Sequence, residues 1–371
     1  MTGAFERIAG IALAAVLLTA CGGATPEATN ARRGRRCAAS CDRMNVRGPL
    51  AAEVLEDGRV AILVGRADGA LLYGEASVRG GRWRPRSLHL NVALESFAGD
   101  LAAVPDGDGL WVAHGSDAGP VVSRVSRQGV APVGPLSDGS STGDGEAPVS
   151  VDLVRDEAQS LAFCAWLPRA EGAAAPRLVA LRDGEPQPVL LPFEAHRGHA
   201  IALALTTDGV VAAYASDAGV QIAGGPVAGV LRPSDRESRA VAAAGDGERA
   251  WVAWAELAGV FLVELRGGAL GEVRPIDRGE RTGEPAHRVG AGLSIRNLGD
   301  ELLLGYQDQT AGALVTARAA RLVLRQSHVD GRWTRGMEVA LVEAGGAPFA
   351  LDVALSARPA LRGSLRATRL R

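Results

Sequence analysis

The sequence contains no lysine and is poor in aromatic residues. All 40 basic residues of the 371-residue chain are arginines, and Phe, Trp and Tyr together make up 4% of it. A Schiff-base enzyme and a P-loop nucleotide site both require a lysine amine. The absence of lysine therefore excludes these two function classes.

Beyond residue 18 the sequence has no apolar run long enough for a membrane helix. The run at residues 8–18 is too short to remain in a bilayer as a spanning helix, and it predicts a signal peptide over residues 1–20. It ends in Leu18-Thr19-Ala20-Cys21, which resembles the lipobox of bacterial lipoproteins. The resemblance implies that Cys21 is acylated and anchors the mature chain in the cell envelope, at the outer membrane if the organism is Gram-negative.

Residues 21–48 are polar and show no periodicity, which predicts a flexible tether. They carry six arginines and two acidic residues, a net charge of +4, while residues 1–20 carry none; the whole chain is −2, so residues 49–371 carry −6. An acidic body without a basic stripe argues against nucleic acid as a partner. The arginines at 32–36 are interpreted as part of a solvated spacer, with contact to anionic lipid head groups as the alternative.

Besides Cys21 the sequence has only three cysteines. Cys37 and Cys41 are spaced to close a small disulfide loop in an oxidising compartment. Zinc would need four ligands, and no second pair or nearby histidine completes such a set. Cys164 lies in the apolar run LAFCAW and is expected to be a buried thiol. No metal or other cofactor is predicted.

One pattern recurs along the chain. GLWVAHGSDAGPVV (109–122) and GVVAAYASDAGVQI (209–222) lie 100 residues apart. In each, a glycine turn joins two short apolar strands, and four antiparallel strands per repeat of about 40 to 53 residues are typical of a β-propeller blade. The turn glycines that define six such repeats are Gly69, Gly119, Gly172, Gly219, Gly259 and Gly312.

Residues 49–371 are therefore predicted to form an all-β propeller. The strand FALDVA (349–354) echoes FAGDLA (97–102) and is predicted to be the inner strand of a seventh blade, closed by an outer strand near residues 43–47. Six blades are the alternative count, and a solenoid or two sandwiches the alternative architectures. Seven four-stranded blades is the fold that we predict.

Two segments, GRW at 81–83 and GRW at 331–333, are interpreted as outer strands. They resemble the repeat of sialidase-like (BNR-type) proteins, although the Asp-box of that family occurs only as the fragment DGRWT at 330–334. The resemblance implies a propeller, and a fold of this kind hosts both enzymes and binding scaffolds.

Acidic residues precede the turn glycines. In propellers the turns between second and third strands gather on one face, so these carboxylates are predicted to form a rim that attracts a cation or a basic partner. The alternative is local turn chemistry, which also favours Asp. The predicted rim consists of Asp68, Asp117, Glu171, Asp217, Glu256 and Asp308.

No catalytic constellation is visible. HGSD at 114–117 has the residue types of a triad, but successive strand residues point to opposite faces, and HRGH at 196–199 lacks a third metal ligand. The predicted function is a non-catalytic scaffold that binds an envelope protein, a peptide or a glycan. The alternative is a polysaccharide hydrolase or lyase, which would need a close carboxylate pair with an arginine nearby.

Overall fold

The part of the chain that the structure describes consists of strands and their connections, without helices. The structure is a computed structural model. It describes residues 46–79, 81–83, 90–94, 97–116, 119–136, 148–169, 172–182, 184–257, 259–281, 284–299, 301–319, 323–326, 333–334, 336, 338–356 and 363–370. Within these residues no helix is long and apolar enough to cross a membrane. The chain divides into residues 1–35, which lie outside the description, and residues 36–371.

The first four blades follow one another along the chain, each an antiparallel sheet whose strands pair in sequence order from the inside outwards. Blade 1 has β1 (Val46–Val54), β2 (Val60–Arg66), β3 (Leu71–Ala76) and β6 (Asn91–Leu94), with a side hairpin of β4 (Val78–Arg79) and β5 (Arg82–Trp83). Blade 2 has β7 (Ala98–Asp106), β8 (Gly109–Ser116), β9 (Gly119–Ser126) and β10 (Gly129–Pro135). Blade 3 has β11 (Ser150–Asp156), β12 (Leu161–Leu167), β13 (Arg177–Arg182) and β14 (Glu185–Val189). Blade 4 has β15 (Gly198–Thr206), β16 (Gly209–Ser216), β17 (Gly219–Gly224) and β18 (Leu231–Ser234).

Three further blades complete the fold, which is a seven-bladed propeller as predicted. In blade 5 two short strands both pair with the outer edge of the third strand. In blade 7 the strand that comes first along the chain pairs with the second strand of the blade, next to the inner strand. Blade 5 has β19 (Ser238–Gly245), β20 (Arg249–Glu256), β21 (Gly259–Arg266), β22 (Ala269–Leu270) and β23 (Arg274–Asp277). Blade 6 has β24 (Val289–Asn297), β25 (Leu302–Asp308), β26 (Ala313–Arg318) and β27 (Val323–Gln326). Blade 7 has β28 (Trp333–Thr334), β29 (Val339–Ala344), β30 (Ala347–Ser356) and β31 (Gly363–Arg369).

The inner strands form a closed ring. Each of β1, β7, β11, β15, β19, β24 and β29 contacts the inner strand of the next blade, and β29 returns to contact β1. A shared apolar cluster seals this last junction, with Ile62 and Val64 of blade 1 packed together with Phe349 and Leu351 of blade 7. The ring leaves one edge of every inner strand facing a central channel.

The second strands form the most buried layer of the blades. All residues of β25, and all but the first of β16 and β20, are buried or nearly so, because neighbouring blades cover both faces. Tyr214 and Tyr306 have no exposed surface. Continuous apolar runs rather than alternating ones are the consequence of this two-sided burial.

Several strand assignments made from the sequence are wrong. The segment 349–354 belongs to β30, the second strand of blade 7, and β29 is the inner strand of that blade. The strand near residue 47 is β1, an inner rather than an outer strand, and its first residues lie within the predicted tether. Inner and second strands are both apolar here, so the pattern of hydrophobic residues does not distinguish them.

The two GRW segments are also not the outer strands of blades 1 and 6. Residues 82–83 pair with β4 in the side hairpin, and β6 is the outer strand of blade 1. Trp333 pairs with Ser356 of blade 7, whereas β27 is the outer strand of blade 6. The physical reason is that such short polar strands carry little pairing information in their sequence.

The repeated turn glycines have two structural reasons to be glycine. Gly219 and Gly259 have φ values of +110° and +135°, which side chains of L-residues rarely adopt. In addition, a Cβ at Gly259 would overlap the carbonyl oxygen of Asp277, and one at Gly219 would overlap that of Ser234. Both oxygens belong to the outermost strand of the same blade, so the glycine lets that strand close over the turn.

We expect Gly259→Ala to destabilise the protein more than Gly58→Ala. Gly58 also has a positive φ, +77°, but a Cβ there would meet nothing within 4 Å. The backbone cost should be about 1–2 kcal/mol in both variants, and the overlap with Asp277 should add roughly 1–3 kcal/mol to the first. Urea unfolding of both variants measures this difference; equal losses would show that the outer strand does not require the close approach.

Candidate functional site in the central channel

The described residues enclose a channel along the propeller axis, with a volume of about 680 Å³. Pockets that hold small ligands have volumes of about 300–1,000 Å³. All seven blades contribute to the wall, mostly through Ala, Val and Leu of the inner strands. The ionisable groups of the wall are Glu53, Asp100, Asp152, Arg155, Arg239, Arg296 and Glu338.

Two of these carboxylates hold the inner strands of neighbouring blades together. Asp100 of blade 2 accepts a hydrogen bond from Ser150 Oγ at 3.0 Å and one from the Val151 amide at 3.4 Å, both in blade 3. Asp152 of blade 3 accepts one from the Leu203 amide of blade 4 at 2.6 Å. These amides lie on the free edge of an inner strand, where no partner strand is available to pair with them.

Each carboxylate also binds its own strand. Asp100 Oδ1 accepts from the Leu101 amide, and Asp152 Oδ1 accepts from the Leu153 amide, both at 2.8 Å. Ser150 Oγ, which donates to Asp100, accepts from the Ile201 amide at 3.3 Å. Side chains of blades 2 and 3 thus cap the exposed strand edges from blade 2 to blade 4.

Burial raises the pKa values of carboxyl groups in this wall. It raises the pKa of Asp152 to about 7, against the lowering effect of the Leu203 and Leu153 amides. It raises the pKa of Glu338 to about 8, and the nearby charge of Asp100 adds to the rise. Within the described part of the chain, the Glu338 carboxyl has no hydrogen-bond partner. It therefore enters the channel as a neutral acid near pH 7.

An ion pair spans the junction with blade 7. Arg296 Nη1 of blade 6 donates to both carboxylate oxygens of Glu53 in blade 1 at 2.9 Å. Burial raises the pKa of Glu53, and Arg296 opposes that rise. Because blade 7 lies between the two blades, this contact links the first and the sixth across the closure.

The described members of the predicted acidic rim differ in their surroundings. Asp68 is paired with Arg66 of its own hairpin, and Asp217 is exposed. Glu256 is buried and accepts hydrogen bonds from Ser234 Oγ at 2.5 Å and from the Trp254 indole at 2.7 Å. A common rim of free carboxylates would thus depend on Asp217 together with Asp117 and Glu171, which lie outside the described residues.

Asp308, the last member of that set, lies in a buried polar network between blades 5 and 6. It accepts from Arg281 Nη2 at 3.1 Å and contacts His287 Nδ1 at 2.7 Å. The same arginine binds Asp277 of blade 5, which also accepts from Tyr306 Oη of blade 6 at 3.0 Å. The hydrogen bond to Asp308 raises the pKa of His287. This network joins the two blades and leaves Asp308 without exposed surface.

Cys164 and His114, both singled out in the sequence, are buried in the described region. Cys164 is a free buried thiol whose pKa is raised by burial, as expected for a core residue. His114 contacts Ser123 Oγ at 3.3 Å within blade 2. No group of His, Cys, Asp or Glu among the described residues could hold a metal ion. Cys21, Cys37 and Cys41 lie outside this region, so their predicted lipidation and disulfide stay predictions.

Reasoning from the sequence missed the carboxylates of the channel. Asp100 lies within the segment FAGDLA that was used to predict strands, yet nothing marks its side chain as pointing to an adjacent blade. The available signal is spacing: Asp100 and Val151, Ser150 and Ile201, and Asp152 and Leu203 are each 51 residues apart, which is one repeat.

No known family and no curated protein matches this chain. A lectin of Aleuria aurantia, solved in complex with Fucα1-6GlcNAc, is similar in fold with a TM-score of 0.52 and 10% identity, covering 77% of this chain and 97% of the lectin. A second structure of that lectin, described as a six-bladed β-propeller, gives 0.52 and 12% over 78% and 96%. The hydrazine synthase of Kuenenia stuttgartiensis gives 0.53 and 14% over 88% and 97%. At these identities the likeness shows the propeller fold alone.

We expect the stability of the protein to fall as pH rises from about 4.5 to about 8, partly through Glu338. The unfolded chain releases this proton near its ordinary pKa of 4.5, whereas the folded protein keeps it to about 8, so the unfolded state binds fewer protons in that window. Glu338→Gln removes this contribution. Because a one-unit shift equals about 1.4 kcal/mol and the channel is partly solvated, the gain at pH 8 should be roughly 1–3 kcal/mol.

Urea unfolding between pH 5 and pH 9 measures the effect. Glu248→Gln is the control, since that side chain is 80% exposed and should leave the pH profile of the wild type unchanged. If Glu338→Gln has the same pH profile as the wild type, the carboxyl is not held as a neutral acid in the channel.

Proposed function

We propose that this chain is an exported lipoprotein whose seven-bladed propeller is a non-catalytic scaffold that binds an envelope protein, a peptide or a glycan. The proposed binding function rests on the hydrogen bonds and the ion pair that the channel carboxylates form. Asp100 and Asp152 are committed to strand amides, and Glu53 is committed to Arg296. A polar channel of ligand size thus offers shape and hydrogen-bonding groups rather than reactive ones.

The alternative function, hydrolysis of a polysaccharide, has less support from this arrangement. Glycosidases commonly use two carboxyl groups on either side of the bond that breaks, one as an acid and one as a base or nucleophile. Of the channel carboxyls in the described region, only Glu338 has no protein partner. One carboxyl without a second available group does not make that pair, whereas a lectin on a propeller of similar fold is a precedent for glycan binding.

The proposed attachment to a membrane rests on the sequence. The lipobox ends in Cys21, and the polar stretch from 22 to 45 precedes the first strand at Val46. Such a spacer would link the lipid anchor to the propeller. The partner would then be a component of the envelope or of the space next to it.

Replacing Cys21 with Ser tests the anchor. The wild type, expressed in a Gram-negative host with labelled palmitate, should carry label and sediment with membranes, because several acyl chains give stable anchoring. Cys21→Ser should lose the label and leave the membrane fraction, while the control Cys37→Ser should keep both. A wild type that takes up no palmitate would contradict the proposal.

The full-length protein in detergent should retain a ligand from envelope extract or from a glycan array without releasing reducing ends from envelope polysaccharides. Glu338→Gln should leave that zero rate unchanged, because the proposed scaffold uses no carboxyl group for catalysis. Release of reducing ends by the wild type, lost in Glu338→Gln, would instead establish the hydrolase.

A further inference from the structure

The inner strands of blades 4 and 5 have the same geometry but different neighbours. β15 pairs with β16 in the order Gly198–Ser216, Ala200–Ala215, Ile201–Tyr214 and onwards. β19 pairs with β20 in the same order 40 residues later, with the same irregularity after the first pair. Val241 and Ala243 therefore occupy the positions of Ile201 and Leu203, and their amides face the channel in the same way.

Within the described residues, the amides of β15 have side-chain acceptors and those of β19 have none. Ser150 and Asp152 of blade 3 supply the oxygens that bind Ile201 and Leu203. At the equivalent positions blade 4 has Ala200 and Ala202, which carry no side-chain oxygen. The edge of β19 thus presents two donors, about 7 Å apart along the strand, to a cavity of ligand size.

We infer that the channel binds a neutral saccharide, whose oxygens accept hydrogen bonds from the amides of Val241 and Ala243. The inference rests on the proposed binding function and specifies its ligand and its site. Blade 3 provides the template, because the oxygens of Ser150 and Asp152 show where an acceptor stands against such an edge. A ligand oxygen would take that place on blade 5.

The wall carries groups of both charge signs and so favours a ligand without net charge. The carboxyl groups of Asp100 and Asp152 and the guanidinium groups of Arg155 and Arg239 line the same cavity as the Glu53–Arg296 pair. Two amide hydrogens pointing into the channel disfavour a cation on the side of blade 5. Sugar hydroxyls both donate and accept, so one ligand can accept from the β19 edge and donate to the Glu338 carboxyl, which is free of partners within the described residues.

A substitution can fill the proposed ligand site with a side chain of the protein itself. Ala202→Asp places a carboxylate where blade 3 has Asp152, and that carboxylate should bind the Ala243 amide as Asp152 binds Leu203. Ala102→Asp is the matched control. It brings the same charge to the equivalent position of blade 2, beside β11, whose amides Asp100 and Asp152 already bind.

The experiment is calorimetric titration of the full-length protein in detergent with cello-, malto-, manno- and N-acetylglucosamine oligomers, and with oligogalacturonate as the acidic comparison. One of the neutral sugars should bind. Ala202→Asp should weaken it at least about tenfold, which is about 1.4 kcal/mol, and Ala102→Asp should stay within about threefold. Ala200→Ser, the smaller change that copies Ser150, should weaken binding in the same direction and is decisive if Ala202→Asp does not fold.

Two results would overturn the inference and leave the proposed function standing. One is unchanged sugar affinity in folded Ala202→Asp or Ala200→Ser. The other is a wild type that binds only the acidic sugar, a peptide or an envelope protein. If the wild type retains no ligand of any class, the proposed binding function fails together with the inference.

Discussion

The unpaired edges of the inner strands are the constraint on which the rest of the structure depends. A ring of seven blades buries its faces between neighbours but leaves one row of amides and carbonyls per blade around the axis. Such groups are costly unless water or a side chain binds them. Blades 2 and 3 meet this demand with Asp100, Ser150 and Asp152, which bind the edge of the next blade and thereby also hold the ring together.

Side chains cap the inner-strand edges of some blades and not of others, and this difference determines which polar groups line the channel. Where the carboxylates of Asp100 and Asp152 cap the strands, they are drawn into the wall, and their burial raises the pKa of both groups. Where blade 4 has alanine, the following edge stays open as a row of donors. The free amides of the inner strands have side-chain acceptors in blades 3 and 4 but not in blade 5. The result is a polar cavity with hydrogen-bond donors and acceptors on different walls.

Much of the fold was predictable from the sequence, because the repeat fixes it locally. A glycine turn between two apolar strands, as around Gly219 and Gly259, is encoded within some fifteen residues, and such turns sufficed to predict six of the seven blades. Residues 349–354 were misplaced because inner and second strands are both buried and apolar. The channel site was not predictable, since the contact between Asp152 and Leu203 joins residues that only ring closure brings together.

Hydrogen exchange of individual backbone amides tests the central claim most directly. The account predicts that Val151 and Leu203, which are capped by carboxylates, exchange slowly, and that Val241 and Ala243, at equivalent positions without a cap, exchange much faster under the same conditions in the absence of ligand. Equal protection of the two pairs would contradict it, because the side chains of blades 2 and 3 would then not be what protects the edges of the ring.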